Sequence, residues 1–349
     1  MVSRNLIILT VAAIAVIVIG AAIYFSTIPP PVTSKLKVAV LLPGSITDAG
    51  FNAAMYTAAQ SVSTEMNDTI AMSIAEGLGQ VGLQPTLQDY AGRGYKLIFA
   101  WSWNYQDSCN RVTPDFPDVW FILPGASQTN GNVISALPQL WDGAYLAGMV
   151  AASVSNTSKL GAVGGYSDTF SVAVLEAFIA GGQRVNPNIN GTCIYAGVWD
   201  DVGKGREAGE ALIGAGADVL FSRGDGLTLG VIQAASMHSA PGTSKTVYMV
   251  GDIADQHALA PKTIITSNIT PDGPLIKNVI AMYNNGTLAA NRDNDVRSYF
   301  WGLKYGVSDI TPFYALDYKV PANIKAQVAD VRKAILNGSF TVPVLGRIH

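Results

Sequence analysis

An α/β fold with two parallel-sheet lobes is predicted by three features of this 349-residue chain. Short β-branched runs alternate with stretches carrying apolar residues at i, i+3, i+4 spacing, as parallel strands covered by helices on both faces require. These runs are too numerous for one compact sheet, and the length suits two lobes. Nearly every run ends in Gly with Asp or an aromatic ring, so the strand ends carry the chemistry. In open α/β sheets ligands lie beyond the carboxyl ends of the strands.

The N-terminal segment is of a different kind. Leu6–Phe25 (LIILTVAAIAVIVIGAAIYF) has no charge over about 20 residues, enough to cross a hydrocarbon core of roughly 30 Å. Arg4 precedes it and no basic residue follows until Lys35, which places the N-terminus in the cytoplasm and the remainder outside. The apolar run is longer than a signal-peptide core and lacks a clear small-residue cleavage site, so a retained anchor is expected. Ser26–Ser34 (STIPPPVTS) reads as a semi-rigid stalk. N-x-[ST] sequons at Asn67, Asn156, Asn190, Asn268, Asn285 and Asn337 fit an exported surface. Cys109 and Cys193 fall in different lobes, where a disulfide would lock the two together, so free thiols are expected. A net charge of −3 without a basic cluster argues against a nucleic-acid partner.

The globular part begins with Lys37–Ala54 (KVAVLLPGSITDAGFNAA). Val38–Leu42 is too short and too β-branched for a helix and reads as a strand buried on both faces, followed by a loop and a helix. Ser45, Asp48, Phe51 and Asn52 thereby stand at the edge of a site, with helix capping by Asp48 as the equal alternative. Further strands are predicted at Thr69–Ile74, Lys96–Ala100, Val119–Leu123, Lys159–Val163, Thr192–Ala196, Asp218–Phe221, Thr246–Val250 and Thr263–Thr266. Helices are predicted at Asn52–Met66, Gln106–Thr113, Leu140–Ser153, Ser171–Val185, Gly203–Ala215, Gly226–Met237, Pro271–Asn284 and Pro321–Leu336. Asn285–Arg297 is assigned no structure. Crossovers between lobes are placed near Val133–Leu140 and Gly251–Ile269. The resulting division is an anchor (1–25), a stalk (26–35), a first lobe (36–138), a second lobe (139–262), and 263–349 returning to the first lobe with C-terminal helices across the hinge.

The strand ends repeat one theme. Trp101-Ser102-Trp103-Asn104-Tyr105-Gln106-Asp107, Gly164–Phe170, Trp199-Asp200-Asp201, Arg223-Gly224-Asp225-Gly226 and Gly251–Asp255 combine Gly, Asp and aromatic rings. Capping explains some of the aspartates but not Trp101, Trp103, Tyr105, Phe170 and Trp199, which occupy positions usually given to polar turn residues. Flat rings beside carboxylates suit a hydroxylated, planar ligand, whereas rings bracing the lobe interface are the alternative. Catalytic readings have less behind them. His238, His257 and His349 lack metal-ligand spacing, and there is no G-x-S-x-G elbow and no G-x-x-x-x-G-K-[ST] loop. Asp200-Asp201 is a poor carboxylate pair, because adjacent residues of an extended strand face opposite ways. No catalytic residue, metal or cofactor is assigned.

Several segments together resemble one family. KVAVLLPGSITDAGFNAAMY from Lys37, FPDVWFILPG from Phe116, YLAGMVAA from Tyr145, LGAVGG from Leu160, VLEAFIAGGQRVNP from Val174, GVWDDVGKGREAGEALIGAGADVLF from Gly197, GVIQAA from Gly230 and GDIADQHALAPKTIITS from Gly251 are similar to the basic membrane protein (BMP) family. These are nucleoside-binding substrate-binding proteins of ABC importers. The resemblance implies a type I periplasmic-binding-protein fold, a small-molecule ligand such as a nucleoside, and ABC permease subunits as partners. By matching position it implies ligand contacts at Asp48, Phe51, Asn52, Asp107, Gly224, Asp225 and Asp252, to which Trp101, Phe170 and Trp199 are added from the aromatic pattern. The chain departs from the family in two places. It has no lipid-modified Cys after the N-terminal segment, so a membrane helix would replace the lipid, an arrangement common in archaea. It also reads Ser267-Asn268-Ile269-Thr270 where nucleoside binders tend to carry a Lys.

Overall fold

Two six-stranded sheets, each between helical layers, make up the computed structural model, which describes residues 34–48, 50–239 and 246–344. The anchor expected at Leu6–Phe25, the stalk through Thr33 and His349 lie outside the described residues. Among the described residues no helix is long and apolar enough to cross a membrane. The chain from Lys37 onward forms one compact unit.

The first sheet starts with β1 (Leu36–Leu41), whose inner residues are buried on both faces, as its Val-Ala-Val-Leu composition predicts. Helix α1 (Phe51–Glu65) and β2 (Ile70–Ala75) follow, then α2 (Leu83–Gly92), β3 (Leu97–Ala100), α3 (Gln106–Val112), β4 (Trp120–Leu123) and β5 (Val133–Pro138). With β11 (Ser298–Trp301) the sheet order is β11-β5-β4-β3-β1-β2. The pairs β1–β3, β3–β4, β4–β5 and β5–β11 are parallel.

The second sheet contains β6 (Lys159–Gly164), β7 (Asn190–Tyr195), β8 (Val219–Arg223), β9 (Tyr248–Ile253), β10 (Ile264–Ile269) and β12 (Asp309–Ile310), ordered β12-β10-β9-β8-β6-β7. All its pairs are parallel except β10–β12. Its helices are α4 (Trp141–Val154), α5 (Thr169–Val185), α6 (Val202–Gly214) and α7 (Gly226–His238). Helix α4 is buried from Trp141 to Ala152, which its near-absence of polar residues requires. It packs against α5 at backbone contact: a Cβ on Gly148 would collide with the Phe178 carbonyl oxygen, and one on Gly181 with that of Tyr145. The last helices are α8 (Asp272–Asn284), packed on α1, α9 (Thr287–Asp293), and α10 (Ala322–Leu336), packed on α4.

Several boundaries differ from expectation. Val133–Pro138, placed in a crossover, is a strand of the first sheet, and β10 stays in the second sheet, so the chain returns after Ile269 rather than at 262/263. Asn285–Arg297 contains α9, and α2, β11 and β12 had no predicted counterpart. The chain passes between the sheets three times: after β5, after β10, and between β11 and β12. The first and third passages run side by side. Gln139 N–H donates to the Trp301 carbonyl (2.8 Å), and the buried Asp142 carboxylate accepts from Leu303 N–H (3.0 Å) and Gln139 Nε2 (3.1 Å). Of the sequons, Asn268 is fully buried while the asparagines of the others are exposed, which removes Asn268 from the expected glycan acceptors. Cys109 and Cys193 are free thiols.

Candidate functional site

The first-lobe side of the site grows from the loop after β1. Asp48 folds back onto the start of α1, where its carboxylate accepts from the backbone N–H groups of Gly50 (3.0 Å), Asn52 (2.9 Å) and Ala53 (3.0 Å) and from Asn52 Nδ2 (2.6 Å). Asn52 in turn accepts from Gly44 N–H through Oδ1 (3.1 Å). Of the two alternatives for Asp48, this geometry gives the cap: the carboxylate satisfies amides that the first helical turn leaves open. The loop is thereby fixed and sets Phe51 at the helix start. Phe51 lies nearly parallel to Trp101, at the end of β3, with ring centroids 6.0 Å apart and planes 13° apart. Trp101 is 1 % exposed, and its Nε1–H has no hydrogen-bond partner among the described residues.

The second-lobe side is assembled from five strand ends. The turn after β8, Arg223-Gly224-Asp225-Gly226, is held from below by the loop after β7. The Trp199 carbonyl accepts from the N–H groups of Asp225 (2.9 Å) and Leu227 (3.2 Å), and Asp200 Oδ1 accepts from Gly226 N–H (3.0 Å). Trp199 also lies over Gly165, where any side chain would strike its ring, and beside Tyr166 (5.4 Å). Phe170, at the start of α5, meets the edge of Trp141 (5.8 Å) and carries the Arg223 guanidinium 4.6 Å above its ring. Arg223 Nη1 donates to Asp252 Oδ2 (3.1 Å), and Asn268 Nδ2 donates to Asp252 Oδ1 (2.8 Å). Where the resemblance anticipates a lysine, an amide therefore stands, and the charge of Asp252 is met by an arginine on the neighbouring strand.

The two sides meet. The Asp225 carboxylate reaches the start of α1: its Oδ1 approaches within 3.0 Å of where a Gly50 side chain would begin, and the Phe51 backbone N–H acts on its charge. A carboxylate of one lobe thus sits on the positive end of a helix of the other, beside the carboxylate that caps it. Burial pushes the Asp225 carboxyl up to about 6, with Asp48 adding to the rise; the Phe51 N–H and Arg223 oppose it, and Asp200 adds a little. Burial likewise raises Asp252 to about 6 against the pull of Arg223 and Asn268.

Of the residues singled out from sequence, Asp48, Asn52, Phe51 and Trp101 form the first-lobe wall. Gly224, Asp225, Phe170 and Asp252 converge on the other side, and Trp199 supports the Gly224–Gly226 turn. Asp107 is exposed in the first turn of α3 and is not tied to this group; its neighbour Gln106 braces the loop after β4 through Ser127 N–H (2.8 Å) and Gln128 N–H (2.8 Å). Sequence reasoning passed over Arg223 and Asn268. Both follow from the strand-end rule, since each lies at or near the carboxyl end of a second-sheet strand. Among the described residues no group of His, Cys, Asp and Glu could hold a metal ion.

Residues 35–344 match the family described as ABC transporter substrate-binding protein PnrA-like (Bmp). The chain belongs to this family. Among its relatives, a purine-binding protein of Brucella abortus is 26% identical over 314 residues, covering 89% of this chain and 84% of the relative. The ABC transporter nucleoside-binding protein BmpA of Lactococcus lactis is 25% identical, covering 89% and 90%. The transcriptional activator protein Med of Bacillus subtilis is 25% identical, covering 80% and 83%. Among solved structures, an ABC transporter solute-binding protein of Conexibacter woesei superposes with a TM-score of 0.70 at 25% identity, covering 89% of this chain and all of that one. A solute-binding protein of Aeropyrum pernix, at 20% identity and a TM-score of 0.71, shares the fold.

Proposed function

We propose that this Bmp-family chain is an extracellular, membrane-anchored receptor of an ABC importer that captures a nucleoside between its lobes and delivers it to the permease. The observation that carries this reading is the meeting of Asp225 with the start of α1, directly beside the Phe51–Trp101 pair. Two lobes touching at that point bring a flat ring pair and several hydrogen-bonding groups together, a combination suited to a base joined to a sugar. The names of the Brucella and Lactococcus relatives agree with it. Closure is then a population shift, driven by contacts that exist only when both lobes touch the ligand. Retention of Leu6–Phe25 would hold the receptor at the outer face of the membrane.

Titration calorimetry of the full chain in detergent, against purine and pyrimidine nucleosides with free sugars as controls, tests the binding reading. Heat from nucleosides and none from sugars is expected; silence toward every nucleoside overturns it. A second reading, a ligand sensor signalling to a separate membrane transducer, draws on the relative named as a transcriptional activator. Nucleoside uptake by vesicles carrying the cognate permease separates the two: a transport receptor raises uptake when added, and a sensor leaves it unchanged.

A further inference from the structure

Asp252 and Arg223 exchange roles when their surroundings are compared. The Asp252 side chain is 0% exposed, and both its oxygens are engaged, Oδ1 by Asn268 and Oδ2 by Arg223. Its backbone is fixed as well: Asp252 N–H donates to Gln256 Oε1 (3.2 Å), and Gln256 N–H donates to Ser267 Oγ (3.1 Å). Nothing of this carboxylate is left to meet a solute. Arg223 is different, because its side chain keeps 12% exposure while being held on three sides. Asp252 takes Nη1, Ser171 Oγ lies 3.4 Å from Nε, and the Phe170 ring lies under the guanidinium plane. A guanidinium has five N–H groups, so among the described residues these bonds leave the Nη2 pair and one Nη1 hydrogen for another acceptor. The neighbouring Asp225, which reaches the start of α1, fixes where the group stands: on the second-lobe side of the meeting point.

We infer that Arg223 is the specificity-determining residue of the second lobe, reading in-plane acceptor atoms of the ligand's base, and that Asp252 is a positioning residue that sets the plane of its guanidinium. This inference rests on the nucleoside reading above and adds the class of base. A rigid planar fork pairs with two acceptors lying side by side, such as the O6 and N7 atoms of a 6-oxopurine, whereas adenine offers a donor at the first of these places. Asp48 and Asp225 make the same gap unfavourable for an anionic competitor of the fork, which leaves an uncharged oxo-bearing base as the matching partner. Inosine is therefore bound more tightly than adenosine, by roughly tenfold to a hundredfold for one bidentate pair.

The experiment compares inosine and adenosine by calorimetry on the full chain and on Arg223→Met, Arg223→Lys and Asp252→Asn, with thermal unfolding to establish that each variant is folded. Arg223→Met is expected to lose the preference for inosine while retaining most of its adenosine affinity. Arg223→Lys, which keeps the charge and abolishes the fork, is expected to lose the preference too. Asp252→Asn is expected to reduce it in part, because the fork remains but is no longer aimed; a merely structural role would weaken both nucleosides equally. If the unaltered chain binds both nucleosides with one affinity, or if folded Arg223→Lys keeps the full preference, the inference is overturned and the nucleoside reading stands. If the unaltered chain binds neither, both fall together.

Discussion

On the proposed receptor reading, the contact between Asp225 and the start of α1 makes lobe closure a proton-linked event, which Asp225→Asn isolates. In the closed form burial and the Asp48 carboxylate push Asp225 up to about 6; in an open form, facing water, it returns to the ordinary carboxylate value of about 3.9. The sign follows from the direction. A group raised in the closed form binds its proton better there, so closure gains this stabilisation in full below about pH 4 and loses it as the pH rises through 6. The difference corresponds to about two pH units, or roughly 3 kcal/mol at about 1.4 kcal/mol each, as an upper bound. On the proposed function, ligand affinity should therefore rise as the pH is lowered from 7.5 to 5, by up to about tenfold. The Asn variant keeps an oxygen facing the start of α1 but carries no charge, so its affinity should be nearly flat across this range and higher than that of the unaltered chain at pH 7.5. Asp252, also raised to about 6, is surrounded by its own lobe through Arg223 and Asn268 and does not change environment on closure. Calorimetric titrations at half-unit pH steps provide the readout. An Asp225→Asn profile with the slope of the unaltered chain would refute the linkage.

Other expectations rest on single features. Phe51→Ala should weaken nucleoside binding by about 1–3 kcal/mol with little change in the unfolding midpoint if its ring stacks on the base, as titration of the folded variant would reveal. Gly148→Ala forces a methyl group into the Phe178 carbonyl at the α4–α5 contact. A loss of about 3 kcal/mol or more in a denaturant melt is expected, far beyond an ordinary surface Gly→Ala exchange. Asp272, buried at the start of α8 with Oδ1 unpartnered, is raised by burial to about 8. Its contribution to stability is full at acid pH and gone once the pH exceeds 8, so Asp272→Asn should melt higher than the unaltered chain at pH 9 and show a smaller difference at pH 6.

The strands that were legible in sequence are those whose composition permits nothing else. The β1 run Val38-Ala39-Val40-Leu41 and the β3 run Leu97-Ile98-Phe99-Ala100 are apolar throughout and bounded by turn residues. Helix α2 escaped because Leu83, Leu87 and Ala91 alone are buried, a one-residue-wide stripe with Pro85 inside it. β11 and β12 are short, half-buried and paired at or beside sheet edges, where composition says little and long-range pairing decides. The same division holds at the site. The loops were placed by topology alone, but the functions of their side chains depend on partners far along the chain. Asp48 became a cap through amides two to five residues away, whereas Arg223 acquired its place from Ser171 and Asp252, 52 and 29 residues distant. Asn268 shows the limit of motif reading: its sequon is complete, yet its amide is spent on Asp252 in the interior.

Three covalent threads joining two stiff bodies leave little freedom. With the first and third lashed together through Gln139, Asp142, Trp301 and Leu303, and the second tethered by Thr270 to the Ile253 carbonyl, sliding and twisting would tear bonds that simple bending leaves intact. In the proposed receptor such a joint would swing like a book on its spine. The outer margins travel farthest while the groups nearest the spine barely shift, so a visitor is sorted first by shape at the mouth and last by chemistry at the binding.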